Sequence, residues 1–277
     1  MRSSCRVLLI TTFLLCLGSG LAMTACAAPK AELWPLWQAN DPQSSIHVDH
    51  SAWSHFLNKY LVVGKPGTVT LVRYAAVTSE DKESLARYLA ALGTITTAKL
   101  NRAEQKAFWI NLYNALTVYT ILDHYPVQSI KDISSGWFSS GPWDMKLVKV
   151  AGIELSLNDI EHRILRPIWK DNLVHYAVNC ASLGCPNLQI EPFTAENTDR
   201  LLGKAAREFI NSPRGARLTG STLLVSSIYD WFEVDFGGTD ATLIVHLENF
   251  ADSDLAAKLK KFRGSFSYDY NWELNKG

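Results

Sequence analysis

Apolar positions follow helical spacing over most of the chain and alternate only over short stretches. In "DHSAWSHFLNKYLV", Trp53, Phe56, Leu57, Tyr60 and Leu61 recur at helical spacing. "VTLVRYAAV" reads as a strand. Ser79 then caps a helix with acidic residues in its first turn and Gly93 at its end. The longest pattern is "RAEQKAFWINLYNALTVYTILDHY", opened by Asn101 and stopped by Pro126. Phe108, Asn111, Leu112, Ala115, Val118, Tyr119 and Leu122 share one face, with Trp109, Tyr113, Leu116 and Thr120 opposite. A helix apolar on all sides belongs in the middle of a domain. Asn111 falls within the apolar arc, and Asn114 lies one turn on. A buried amide without partners costs about 1–3 kcal/mol, so both are expected to bond a loop backbone or a site.

Further on, "KLVKVAGIELSL" alternates about Ala151-Gly152 like a hairpin. Ser156 or Asn158 caps the helix "DIEHRILRPIW", which Pro167 ends or kinks. "LVHYAVN" reads as a buried strand, "TAENTDRLLGKAAREFINS" as a helix, and "ARLTGSTLLVS" as a second hairpin about Gly220. "IYDWFEVDFGG" reads as a strand or aromatic loop. Helices over 241–250 and 254–262 and the tail "SFSYDYNWELN" close the chain. There is no βαβ alternation. The expected fold class is α+β: a single domain, helix-rich with short β-hairpins and a small antiparallel or mixed sheet around a buried central helix.

The N-terminus changes the compartment. Arg2 and Arg6 precede the apolar run "VLLITTFLLCLG", which is shorter than the roughly 20 residues of a membrane span. Residues 1–27 therefore read as a signal peptide, 28–48 as an irregular lead-in and 49–277 as one globular domain. Ala25-Cys26-Ala27 fits cleavage before Ala28. Alternatively, "MTAC" resembles a lipobox with Cys26 as lipid anchor, although Met23 stands where Leu is usual. The expected localisation is periplasmic or secreted, or membrane-anchored through that lipid. No later apolar run reaches membrane length.

Charges balance at 27 and 27, and loss of Arg2 and Arg6 leaves a slight negative excess. Such a chain has no global attraction for nucleic acid. Once the signal is removed, Cys180 and Cys185 are the cysteines left inside an exported domain, where disulfides persist.

Five stretches resemble the bacterial and plant family called domain of unknown function 547: "FWINLYNAL", "LSLNDIEHRILR", "HYAVNCASLGCP", "WFEVDF" and "YNWELN", in that order over roughly residues 106–275. Asn271 stands where the resemblance leads one to expect Asp. The resemblance implies a shared fold and little chemistry.

Several readings of "HYAVNCASLGCP" stay open. Cys180 and Cys185 close a short loop as a disulfide, worth about 2 kcal/mol. A reversible dithiol is a second reading, with wider spacing than C-x-x-C. Cys180 as nucleophile is a third; it needs a base, from His162 or His175. On a regular strand, His175 and Cys180 would point to opposite faces, which favours His162. Asn111, Asn114 or Glu161 would orient that base or polarise a carbonyl. A metal reading lacks the usual second ligand pair, so no metal and no cofactor is expected. In "YDWFEVDF" the aromatic residues read as core or as a ligand groove, with Tyr229, Trp231 and Asp235 as its binding residues. Two functions follow. One is an exported envelope binding module with a cysteine loop, whose partner is a protein or small-molecule ligand. The other is a cysteine-dependent hydrolase or acyl transferase.

Overall fold

A computed structural model describes residues 28–134 and 141–277, so the stretch expected to be a signal peptide, with Cys26, lies outside the described residues. The elements run α1 (Ser51–Tyr60), β1 (Leu61–Val62), β2 (Leu71–Val72), α2 (Ser79–Gly93), α3 (Arg102–His124), β3 (Val148–Val150) and β4 (Ile153–Leu155). A π-helix (Asp159–Leu165) leads straight into α4 (Arg166–Trp169). Then come α5 (Thr198–Ile210), β5 (Ala216–Thr219), β6 (Thr222–Ser226), α6 (Ile228–Trp231), α7 (Asp240–Phe250), α8 (Ser253–Lys261) and β7 (Ser265–Asp269). This is a helix-rich α+β domain with small sheets.

α3 is the axis. Asn101 caps it by accepting from the Glu104 N–H, and 18 of its 23 residues are buried. With no face left for water, the surrounding elements are held by its side chains. Gln105 donates to the carbonyls of Ala39 and Thr97, and Glu104 accepts from the Val48 N–H at 2.7 Å. The lead-in thus packs into the same core, where Trp37 meets Trp109 edge-on at 5.1 Å. A second apolar cluster, built from α5, β5, β6, α7 and α8, adjoins the first.

Both hairpins form about the expected glycines. β3 and β4 turn through Ala151 and Gly152, both at positive φ, and β5 and β6 turn through Gly220. β7 adds in parallel to β6, making a mixed three-stranded sheet. Among the described residues no helix is long and apolar enough to cross a membrane.

Several local expectations are corrected. The strand expected over 69–77 shrinks to Leu71–Val72, because Tyr74–Ala76 turns into a 3-10 helix. Thr78, not Ser79, caps α2, accepting from the Asp81 N–H. Residues 173–179 are not a strand; Asn172–Tyr176 is a 3-10 helix, and its short apolar run suits either period. "IYDWFEVDF" forms α6 and a 3-10 turn over Glu233–Phe236 rather than a strand.

Pro167 does not end its helix, and the reason is visible in the backbone. Upstream the helix widens to π geometry, with the Arg166 N–H reaching the Glu161 carbonyl. Pro167 has no N–H to give, so carbonyls one turn back need other donors. The lead-in supplies them: the Glu32 N–H bonds the His162 carbonyl at 2.9 Å, and the Trp34 N–H bonds the Arg163 carbonyl at 3.1 Å.

Two core histidines make the fold acid-sensitive. His50 meets the Tyr88 hydroxyl and His246 the Tyr176 hydroxyl, each at 2.7 Å. Burial pulls both pKa values down from 6.5 to about 4. The folded state keeps them neutral while the unfolded chain protonates them. Their contribution is therefore intact above pH 6.5 and lost as pH falls toward 4. The loss is on the order of 2 kcal/mol each at the acid end. Scanning calorimetry between pH 7.5 and 4 should show Tm falling with pH, and His50→Gln with His246→Gln should flatten the slope. An unchanged slope in the double variant would sink this account.

Candidate functional site

The turn that carries Cys180 and Cys185 is fixed from three sides. From the core, Asn114 accepts from the Asn179 N–H at 2.8 Å and donates to the Ala177 carbonyl at 2.9 Å. Asn179 then accepts from the Ala181 N–H and donates to the Pro186 carbonyl at 2.7 Å. From the second cluster, Arg214 donates to the carbonyls of Leu183 and Cys185 and to Asn187. From the C-terminal tail, the carbonyls of Glu273 and Asn271 take the N–H groups of Leu183 and Gly184, each at 2.8 Å. Gly184 is required there, since an added Cβ would stand 2.8 Å from the Asn271 nitrogen. Ala181, directly after Cys180, sits at φ 58°. A non-glycine residue held there is strained, and such strain gathers at functional positions.

The two sulfurs face each other at 2.9 Å. Cys180 is half-buried and Cys185 is buried; no bond joins the sulfurs in this structure, so the disulfide among the readings of this pair is not seen. A bond would need the sulfurs at about 2.05 Å. Cys180 Sγ also meets the Ser182 hydroxyl at 3.3 Å and the Tyr270 hydroxyl at 2.9 Å. Burial alone would raise its pKa, but hydrogen bonds from Cys185, Ser182 and Tyr270 outweigh that and the net shift is downward. Burial and the neighbouring sulfur push Cys185 well up. The pair is therefore asymmetric, with the Cys180 thiol shifted down and the Cys185 thiol shifted up.

Tyr270 links the thiols to a row of rings. Its ring lies 4.8 Å from Trp231 and 4.6 Å from Trp272, Trp231 stacks on Trp272 at 5.5 Å, and Trp143 meets Trp272 at 5.6 Å. All four are half-buried, and Asp230, Glu233 and Glu273 beside them in the chain are exposed. A cavity of about 350 Å³ borders the turn, lined by Leu183, Gly184, Arg214, Arg217, Tyr270 and Asn271 among others.

A third cluster is ionic and almost closed to water. His175 Nε2 bonds Asp235 at 2.7 Å, and Arg166 Nε donates to the same carboxylate oxygen at 2.6 Å. Glu161 lies 3.6 Å from His175 Nδ1, an ion-pair distance rather than a hydrogen bond. Burial lowers the His175 pKa, yet the carboxylates of Asp235 and Glu161 reverse this and the net shift is upward. Asp235 is pushed up by burial but held well below the usual carboxylate range by His175 and Arg166. Glu161, likewise raised by burial, is brought well down by the charges of His175 and Arg166. His162 Nδ1 faces an Arg166 N–H at 3.0 Å and must accept from it, so this ring is neutral. Burial lowers its pKa in the same sense. Two anions and two cations then balance. His175 stacks on Phe232 at 4.0 Å, with the Arg166 guanidinium 4.9 Å from the same ring.

The sequence-derived candidates thus separate. Glu161, His162, His175 and Asp235 come together, but Cys180 hydrogen-bonds to none of them; its three side-chain partners are Cys185, Ser182 and Tyr270. The geometric preference for His162 over His175 loses its basis, because no strand joins His175 to Cys180. Asn111 spends its amide on the N–H and carbonyl of Phe193, as Asn114 does on the thiol turn. Trp231 lies on the ring row, whereas Tyr229 is buried under the Tyr176 hydroxyl at 3.1 Å. Asp235 is committed to His175 and Arg166. Sequence reasoning missed Ser182, Tyr270, Trp272 and Arg166 as contributors. The Tyr-x-Trp spacing of the tail was the visible signal for Tyr270 and Trp272, while Ser182 and Arg166 lay inside quoted motifs.

Residues 97–210 match the family model described as "Protein of unknown function, DUF547". Three of the five motifs fall inside that stretch, and the tail that supplies Tyr270 lies beyond it. No curated protein and no solved structure matches the chain significantly.

Proposed function

We propose that this chain, a DUF547 protein over residues 97–210, is an exported envelope binding module whose ligand face is the ring row beside the cysteine turn. The observation that carries the reading is the unbroken contact of Trp143, Trp272, Trp231 and Tyr270, all half-buried. Clustered aromatic side chains suit the apolar faces of sugar rings, so the favoured ligand is a carbohydrate chain. The signal-like N-terminus supports export to the periplasm or beyond, with Cys26 as lipid anchor where the lipobox is used. Mass spectrometry of the mature N-terminus separates a free Ala28 from an acylated Cys26.

Tryptophan fluorescence titrated with soluble glucan-type and chitin-type oligosaccharides tests the ligand. A saturable change is expected, and Trp231→Ala should weaken it about tenfold or more, as removal of a central aromatic anchor does. Flat titrations with every oligosaccharide would remove the carbohydrate reading. The cysteine-dependent hydrolase is favoured by one observation, the half-buried Cys180 whose pKa is lowered despite its burial. It lacks a hydrogen-bonded imidazole to take the proton.

A further inference from the structure

We propose that Cys180 and Cys185 form an exchange-competent dithiol, in which Cys180 captures a disulfide-bearing partner and Cys185 resolves it. The proposal does not rest on the ligand reading of the ring row, although Tyr270 belongs to both. The two positions differ in the way such a reaction requires. Cys180 is the less buried of the two, and two hydroxyls are placed to stabilise its thiolate, Tyr270 at 2.9 Å and Ser182 at 3.3 Å. Cys185 is 4% exposed, behind Cys180, with its sulfur already 2.9 Å from the one it would attack. The strained Ala181 and the bonds from Asn179, Arg214 and the tail hold the two in that relation. A purely structural cysteine pair would not need one sulfur turned toward two hydroxyls.

The chemistry balances with a low-molecular-weight or protein disulfide, RSSR, as oxidant. The Cys180 thiolate attacks one sulfur of RSSR. A mixed disulfide between Cys180 Sγ and that sulfur forms as the S–S bond of RSSR breaks, and RS⁻ leaves to take up a proton. Cys185 then loses its proton and attacks Cys180 Sγ, expelling the second RS⁻, which is likewise protonated. In sum, two protein thiols and RSSR give one protein disulfide and two RSH. The protein loses two electrons and the reagent gains them. With a reduced dithiol in excess the sequence runs backwards.

The charged and titratable groups around the pair set its pH response. Glu161 opposes the Cys180 thiolate, and Arg214 faces Cys185. Tyr74, Tyr113 and Tyr270 feel both sulfurs, and burial pushes all three phenols up, so they remain neutral donors. Tyr270 is a positioning residue for the thiolate. Removing its hydroxyl should raise the Cys180 pKa. A rise of one unit cuts thiolate about tenfold below the pKa, while the more basic sulfur is about threefold more nucleophilic. Tyr270→Phe should therefore capture about threefold more slowly at pH 6 and up to about threefold faster where both proteins are fully ionised. A change in packing alone would not reverse sign with pH.

The test uses the reduced, folded mature chain, Cys185→Ser and Cys180→Ser, each exposed to oxidised glutathione and followed by intact mass. Wild type should pass to an internal Cys180–Cys185 disulfide with a loss of two hydrogens. Cys185→Ser should stop at one glutathionyl group on Cys180. Cys180→Ser should capture at least about tenfold more slowly, the factor carried by one pKa unit of thiolate. No adduct on Cys185→Ser, an adduct on Cys180→Ser at the same rate, or wild type that halts at the mixed disulfide would each overturn the proposal. Oligosaccharide binding is read separately, so either result leaves the other standing.

Discussion

Replacing Asp235 by alanine is expected to destabilise the protein by about 3–5 kcal/mol, the cost of removing one partner from a buried ionic set. Its carboxylate receives both His175 Nε2 and Arg166 Nε on one oxygen. Without it the Arg166 guanidinium keeps only the Pro29 carbonyl and the neutral His162 ring, and His175 keeps Glu161 at ion-pair distance. In urea this should move the midpoint down by on the order of 1–2 M, for a slope of about 2–3 kcal/mol/M. Asp230→Ala, an exposed carboxylate five residues earlier, should stay within about 0.5 kcal/mol of wild type.

The deficit should also depend on pH, with a sign that the shifts fix. Asp235 has a lowered pKa, so its contribution is present above its unfolded value of 3.8 and lost as pH falls through the folded one. His175 has a raised pKa, so its contribution is fully present below 6.5 and lost as pH rises through its folded value. The two overlap between about pH 4 and 6.5, where Asp235→Ala should cost most. Urea melts at pH 5.5 and pH 9 decide the matter. Equal deficits at both would mean that Asp235 acts by packing, not by charge.

What could be read in advance follows from how local each feature is. α3 was legible because its apolar residues surround the helix and Asn101 and Pro126 mark its ends, all within one stretch of chain. The hairpins were legible because Gly152 and Gly220 carry the turns. Pro167 distorts its helix without ending it, because the missing hydrogen bond is made good by Glu32 and Trp34, far away in sequence. His175 misled because a short apolar run does not distinguish a strand from a 3-10 turn packed between two clusters. The site itself was hardest. Asp235 joins His175 across 60 positions and Tyr270 joins Cys180 across 90, and no period in the chain announces either. The cysteines were visible as a pair, but the hydroxyls that make them unequal come from Ser182, hidden between them, and from a tail legible only as a resemblance.

Asn114→Ala should cost about 2–5 kcal/mol and should change the thiols as well as the stability. The amide bridges the Ala177 carbonyl and the Asn179 N–H, both buried, and alanine reaches neither. Each orphaned group costs about 1–3 kcal/mol, because the packed interior brings no water in its place. Asn111→Ala supplies the matched control. It strips the same two kinds of bond from Phe193, equally buried and equally deep on α3, and should destabilise by a similar amount. The difference lies in what each amide holds. Asn114 fixes the residue directly before Cys180, and Asn179 in turn fixes Ala181 and Pro186 on either side of the two sulfurs. Asn111 touches no part of that turn. At a temperature where both variants remain folded, alkylation of Cys180 near pH 6 should therefore change in Asn114→Ala and keep the wild-type rate in Asn111→Ala. If both variants alter the rate alike, the amide ladder from α3 is only a scaffold, and the asymmetry of the thiols is set by Tyr270 and Ser182 alone.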